Sequence, residues 1–391
     1  MTDSLETRMA SYRREDRSLW QQPEEYDLGN KSDRAILHRK LDSNQVAAII
    51  DRVDLIIDDL FTVEYPDQEQ CGGLHDEFVD AMAGQGAVYG RWFYYPWSQE
   101  LVHFPTLEDH RRLRTARNKN LITEEEQETL YKSAIAVFGL SVGSNVVSKL
   151  VLSGIGGKLI LADPDIIEPT NMNRIEGGFG DVGSYKVDIV AKKISEADPY
   201  IDQVHIKGRV DNDALEWIST EHKPDLMVDE VDDLKAKISI RKEGQRTHTP
   251  VIMSTDTGDK AVVDVERYDL CNTPLFNGRL RLRDIEGIES EEPSAIKKAV
   301  PKLNGLKNAT PRLIESFLDK DKTLSGIPQL GITATIGGAL AAITARELLL
   351  GRKVASGRYV FSPKETLHLK SPTSLTESAQ ILRRFMKESK R

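Results

Sequence analysis

Hydrophobic positions along this chain follow two periods, and the second half switches between them regularly. Ala134–Phe138 is a five-residue apolar run of β character. A glycine-bearing turn at 139–144, a helix over 145–152 and a second apolar run at Lys158–Ala162 follow, which together make a βαβ unit. Further on, 184–197 sets Val187, Val190, Ala191 and Ile194 on one helical stripe. Strands are expected at 204–207, 225–228 and 251–254, with helices between them at 213–219 and 234–245. This alternation predicts an α/β fold, a Rossmann-like, doubly wound, mostly parallel sheet with helices on both faces. Residues 261–268 alternate as an exposed antiparallel strand would, and 280–325 read as charged helices. A short strand at 358–361 and a solvated basic helix end over 382–391 complete this half.

The first 105 residues are less regular and predict an N-terminal α+β extension. A helix is expected over 43–60, where Val46, Ile49, Ile50, Val53, Ile56 and Ile57 fall near helical spacing. The aromatic run at 92–97 reads as a strand packing its rings onto a neighbour in preference to a pocket lining. Thr123 and Glu126 form a capping box that opens a short helix to about residue 131. Three segments result: 1–105, with no role assigned; 106–275, a nucleotide-binding domain; and 276–391, which completes it.

Composition narrows the functions available. A chain of 391 residues is long enough for two or three domains. Its net charge of -9 argues against a nucleic-acid partner, which needs a cationic face. The two cysteines, Cys71 and Cys271, belong to no CxxC pair, so neither a structural zinc site nor a disulfide framework is expected. The polar N-terminus lacks a signal-peptide core, and a cytoplasmic location is the expectation. The apolar stretch 330–350 carries Thr333, Thr335, Thr344 and the pair Arg346-Glu347. It reads as a buried core helix; a membrane span wants about 20 uncharged apolar residues, so no membrane partner is expected.

Gly139, Ser141, Gly143 and Ser144 lie between a strand and a helix N-terminus, where backbone amides and the helix dipole cradle phosphate. Asp163, at the end of the next strand, stands where a carboxylate accepts ribose hydroxyls. Any nucleotide or dinucleotide binder satisfies this much. Asp165, Asn171, Arg174 and then Lys186 follow, and the positive charge of the last two suits an ATP triphosphate attacked at its α-phosphate. A nicotinamide dinucleotide has no need of those two cations. Asp229, Asp232 and Asp233 end a later strand at the sheet edge where ligands bind, and could hold magnesium.

The pattern D-x-D-x-(I/V)-x-x-x-N-x-x-R from Asp163 to Arg174, then G-x-x-K from Gly183 to Lys186, then D-x-x-D-D from Asp229, resembles the ThiF, MoeB and ubiquitin-activating enzymes. The resemblance implies Asp163 on the ribose, Asn171, Arg174 and Lys186 on the phosphates, and Asp232 on Mg2+. It further implies an arginine reaching into the partner of a homodimer, Arg117 first and Arg114 second. The implied reaction is ATP- and Mg-dependent adenylation of a carboxylate, the C-terminus of a small ubiquitin-like protein or peptide, with release of pyrophosphate. The glycine loop departs from the family's G-x-G-x-x-G, reading G-L-S-V-G-S. Thioester-forming members carry a cysteine in about the region of Cys271. Its nearest visible cation, Arg267, is separated from it by Tyr268, Asp269 and Leu270, so the reading preferred is a plain half-buried cysteine. Two alternatives stand. A Rossmann-type NAD(P)- or FAD-dependent oxidoreductase accounts for 139–144 and Asp163 but leaves Arg174, Lys186 and Asp232 unused. A catalytically degenerate nucleotide-binding module accounts for the altered loop. The segment 94–97 with R-x-x-R-N is also similar to a bacterial subgroup sometimes fused to a nitroreductase-like domain, and no such domain is evident here.

Overall fold

The computed structural model describes residues 5, 9, 20–70, 72–270, 273–303, 305, 308–370 and 373–388. Cys71 and Cys271 lie outside that set, and the thiol expectation lies outside it with them. The chain forms two compact units, one of residues 1–128 and 183–201, the other of 129–182 and 202–391.

In the first unit the order is β1 (Glu24–Tyr26), α1 (Lys31–Asp42), β2 (Ala48–Ile50), α2 (Val53–Glu64), α3 (Gly73–Ala83), β3 (Arg91–Tyr95), β4 (Glu100–Phe104) and α4 (Leu107–Thr115). The strands lie in the order β1-β3-β4-β2. The helix expected over 43–60 is corrected. Asn44 takes a φ of +54°, and Ala48–Ile50 leave the helix to pair in parallel with β4. Helix resumes only at Val53, whose amide donates to Asp51 Oδ1 at 3.1 Å. The aromatic run does form a strand, with Trp92, Phe93, Tyr94 and Tyr95 all buried and the His103 ring stacked 4.2 Å from Trp92. The Tyr95 hydroxyl donates to Ser195 O at 2.8 Å, in the helix Lys186–Ala197 that belongs to this unit.

The capping box forms as expected before α5 (Glu124–Lys132): the Glu126 amide donates to Thr123 Oγ1, and the Thr123 amide to Glu126 Oε2. Then come β5 (Ala134–Phe138), α6 (Val142–Leu152), β6 (Lys158–Ala162), α7 (Lys186–Ala197), β7 (Asp202–Ile206), α8 (Asn212–Trp217), β8 (Leu226–Asp229), α9 (Leu234–Thr247), β9 (Val251–Asp256) and β10 (Ala261–Glu266). After α10 (Leu282–Glu289), α11 (Pro293–Leu303), α12 (Pro311–Asp319) and α13 (Gly331–Leu349), β11 (Gly357–Phe361) returns to the sheet, and α14 (Pro363–Thr366) and α15 (Leu375–Glu388) end the chain. The seven strands lie in the order β7-β6-β5-β8-β9-β10-β11. Pairing is parallel from β7 to β9 and antiparallel across β10 and β11. Alternation in β5 serves both faces: Ala134, Ala136 and Phe138 pack with Leu215 and Ile240 from α8 and α9. On the other face Val137 lies under Gly143 of α6.

Two expectations in this half are corrected. β10 is buried along its whole length, because β9 and β11 flank it and Arg358 and Arg279 neutralise Asp264. α13 buries only one face, Thr333, Ala334, Gly337, Gly338, Ala341, Ala342, Ala345 and Leu348, against α6 and the sheet, since an outer-layer helix has a single stripe to pack. Its Ile332 stays 78% exposed. With a mean hydropathy of 1.3 it is, among the described residues, the one helix long and apolar enough to cross a membrane. The basic helix end is solvated over 382–387 as expected, with only Phe385 partly buried; its helix begins at Leu375 and meets α12, where Arg384 pairs with Asp319 at 3.3 Å.

Candidate functional site

Strand order reverses at β5, and the crevice outside the C-terminal ends of β5 and β8 is where such sheets bind ligands. Gly139 leaves β5 at a φ of +86°, and a Cβ there would stand 2.5 Å from the Glu230 carbonyl oxygen after β8. Only glycine fits. The turn runs into α6, whose first residue is Val142, three earlier than expected, so Gly143 and Ser144 lie in its first turn.

Asp163 is 3% exposed and ties two loops together. Its Oδ2 accepts the Leu140 amide at 2.6 Å and its Oδ1 accepts the Asp165 amide at 2.8 Å. Asp165 itself is exposed. Ser144 Oγ donates to Ser141 O at 2.7 Å, while the Ser141 hydroxyl accepts from Arg174 Nε at 3.0 Å. The same guanidinium donates through one terminal nitrogen to Thr170 O and Asn173 Oδ1. Its backbone is held too: Asn145 Nδ2 donates to Arg174 O at 2.9 Å, and Thr335 of α13 donates to Asn145 Oδ1 at 3.2 Å. Asn171 accepts the Glu168 amide and closes the turn Pro169–Asn171. Burial lowers the Arg174 pKa, against the pull of Asp232, Asp256 and Glu168. Gly139, Ser141, Gly143, Ser144, Asp163, Asn171 and Arg174 are thus gathered about one helix start.

The three acids at the end of β8 and just beyond it divide by role. Asp229 is fully buried, bonded by Lys237 Nζ at 3.2 Å to both oxygens and by Arg241. Burial alone would raise its pKa; Lys237 and Arg241 overturn that and hold it below the ordinary range. Arg241 also bridges to Glu266 at 2.7 Å and lies 4.2 Å over the Phe276 ring. Asp233 caps α9 by accepting the Ala236 amide at 2.8 Å. Asp232 is exposed, and its charge acts on Arg174. An exposed carboxylate is a hard oxygen ligand of the kind Mg2+ takes. Among the described residues no group of three or more His, Cys, Asp or Glu side chains stands ready for a metal.

Lys186, Arg117 and Arg114 belong to the first unit. Lys186 is the first residue of α7 and Arg117 sits in the turn Ala116–Asn118. Arg114 donates to Ala197 O at 2.6 Å.

Sequence reasoning missed Glu230, Ser254 and Asp256 at the ends of β8 and β9. Glu230 Oε1 accepts the Ser254 amide at 2.7 Å, and burial raises the Glu230 carboxyl well above its usual range. Burial pushes Asp256 up to about 7, against the attraction of Arg174. The available signal was an acid two residues beyond the apolar run that ends at Ser254. A groove of about 850 Å³ opens past the β9–β10 turn, lined by Gly258, Lys260, Arg312, Leu313, Leu330 and Leu369 among others. Its Leu330 wall joins the Arg174 segment, since Asn173 Nδ2 donates to Gln329 O at 2.7 Å.

A family model described as the ThiF family matches residues 114–379. An uncharacterized protein of Mycobacterium tuberculosis (strain CDC 1551 / Oshkosh), MT1398, is 35% identical over 271 residues, 68% of this chain and 37% of that protein. The tRNA threonylcarbamoyladenosine dehydratase of Bacillus subtilis (strain 168) is 30% identical over 159 residues, 40% of this chain and 61% of the dehydratase. The chain therefore spans less than two thirds of the length of either relative. Among solved structures, the E. coli dehydratase TcdA in complex with AMP is 19% identical at a TM-score of 0.46, over 61% of this chain and 95% of that one.

Proposed function

This chain belongs to the ThiF family, and from that premise we propose that it uses ATP to adenylate a carboxylate at the end of a peptide or small ubiquitin-like protein, releasing pyrophosphate. The observation that carries the reading is the bond from Arg174 Nε to Ser141 Oγ, which aims a cation at the N-terminus of α6, where phosphates are held. Gly139, Gly143 and Ser144 leave the backbone amides of that turn close to the nucleotide. Asp163, which ties the turn after β5 to the turn after β6, is assigned to the ribose hydroxyls. Asn171 orders the Arg174 turn, and Lys186 and Arg117 are assigned to the phosphates, Arg117 from the partner protomer of a homodimer.

The substrate carboxylate oxygen attacks the α-phosphorus, the bond to the bridging oxygen breaks, and pyrophosphate departs. No general base is required, because the nucleophile is already anionic; positioning and charge neutralisation do the work. Mg2+ held by Asp232 and phosphate oxygens would neutralise charge on the departing pyrophosphate. A polypeptide substrate is favoured by the groove beside Leu330, whose volume of about 850 Å³ gives room for a peptide tail.

ATP–pyrophosphate exchange with the wild type and Arg174→Ala tests the reading. Loss of one such cation is expected to cost on the order of 100-fold in exchange. Asp232→Asn should raise the Mg2+ concentration for half-maximal exchange about tenfold. A wild type that binds ATP yet exchanges no faster than Arg174→Ala, with every small protein encoded beside it supplied, would end the proposal.

A further inference from the structure

The C-terminal end of β9 carries polar atoms that nothing in the fold uses. Both carboxylate oxygens of Asp256 are buried and make no hydrogen bond, and the same holds for Ser254 Oγ on a residue only 4% exposed. Folded proteins rarely leave buried acceptors unmet, so a group of this kind calls for an explanation. Helix α13 lies close over both residues. Gly337 of α13 faces both residues: a Cβ there would stand 2.5 Å from Ser254 Oγ and 3.5 Å from Asp256 Oδ1, so the two oxygens flank one point. Glu230 closes the floor by accepting the Ser254 amide.

The acceptors also stand beside the cation of the phosphate site. Asp256 and Arg174 attract one another without a hydrogen bond between them. When a triphosphate engages Arg174, the Asp256 carboxylate loses that counter-charge, and a donor from the substrate can replace it. Neutral carboxyl character, which burial of Asp256 near pH 7 favours, is then reversed by the donor.

We propose that Asp256 and Ser254 form a specificity subsite for an N–H donor adjacent to the carboxylate being activated, while Arg174 serves the anionic end. This rests on the adenylation reading above and deepens it. The donor has two sources, the backbone amide of a peptide's last residue or the ammonium of a free amino acid, and paired probes separate them. N-acetylglycine is matched by 4-oxopentanoate, which has a methylene in place of N–H. Glycine is matched by propionate.

The test measures binding of these four acids to the full chain with Mg2+ and a non-hydrolysable ATP analogue, by ligand-detected NMR. At least one nitrogen-bearing acid should bind about tenfold tighter than its isostere, the worth of one charge-assisted hydrogen bond. Preference within the first pair assigns a peptide, and within the second an amino acid. Asp256→Ala should abolish the preference while leaving affinity for the ATP analogue within about twofold, and Ser254→Ala should reduce it by less. Equal binding within both pairs, no binding by any of the four, or a preference that survives Asp256→Ala overturns the subsite. Failure of the wild type to bind the ATP analogue removes the adenylation reading and the subsite together; analogue binding without preference removes the subsite alone.

Discussion

At the scale of single residues, the Asp256 carboxyl holds a proton in the folded chain that the unfolded chain has already lost. Its pKa rises from 3.8 to about 7 on folding, so this group's contribution to stability falls as pH rises across that window and is constant above it. Asp256→Asn should therefore be more stable than the wild type, with a gap that opens above about pH 4 and reaches about 4 kcal/mol at pH 8 by denaturant titration. Arg241 presents the opposite case, a fully buried cation between Asp229 and Glu266. Arg241→Ala strands two buried carboxylates and should cost about 3–5 kcal/mol, whereas Lys242→Ala at the exposed pair with Glu289 should cost under about 1 kcal/mol. The sequence showed that Asp229, Asp232 and Asp233 sit at a strand end. It could not show that the first meets Lys237 and Arg241 and the second does not, because that depends on which residues of α9 turn inward. Asp163 and Arg174 were legible because turn chemistry and spacing are local. Ser254 and Asp256 were not, because their lack of partners is a property of what packs over them.

Elements show the same division between local and distant causes. Strands β5, β6, β8 and β9 were legible as apolar runs because both of their faces are covered. The helix expected over 43–60 failed because periodicity in Val46, Ile49 and Ile50 cannot report that β4 offers Ala48–Ile50 a partner. α13 was legible as a helix but not as a one-sided one. Its contact with α6 depends on Gly338, where a Cβ would meet Asn145 at 2.7–2.8 Å. Gly338→Ala should cost about 1–3 kcal/mol and weaken nucleotide binding, since Asn145 also holds Arg174 O. Gly326→Ala, with nothing within 4 Å, should leave both unchanged. Thermal melts and titration with an ATP analogue measure the two effects separately. Gly139→Ala, strained by its φ of +86° and clashing with Glu230 O, should lose nucleotide binding altogether.

For the whole molecule, the site predicts coupling between ligand and stability. Mg-ATP at about 100 times its Kd should add about 2.7 kcal/mol to the unfolding free energy, and Arg174→Ala should forfeit most of this in a thermal shift assay. The parallel pairing was legible in outline, since strands joined by helices form a parallel sheet. The assignment of 183–201 to the first unit was not, because the stripe of Val187, Val190, Ala191 and Ile194 looks the same whichever neighbour it meets. That assignment has a consequence in time. The Tyr95 hydroxyl waits for Ser195, 100 positions later, and Tyr200 reaches back to Pro105. At about 5–20 residues per second the ribosome delivers those partners roughly 5–20 s after β3 has emerged. The first unit is therefore born incomplete, and it stays incomplete until β5 and β6 have already been made.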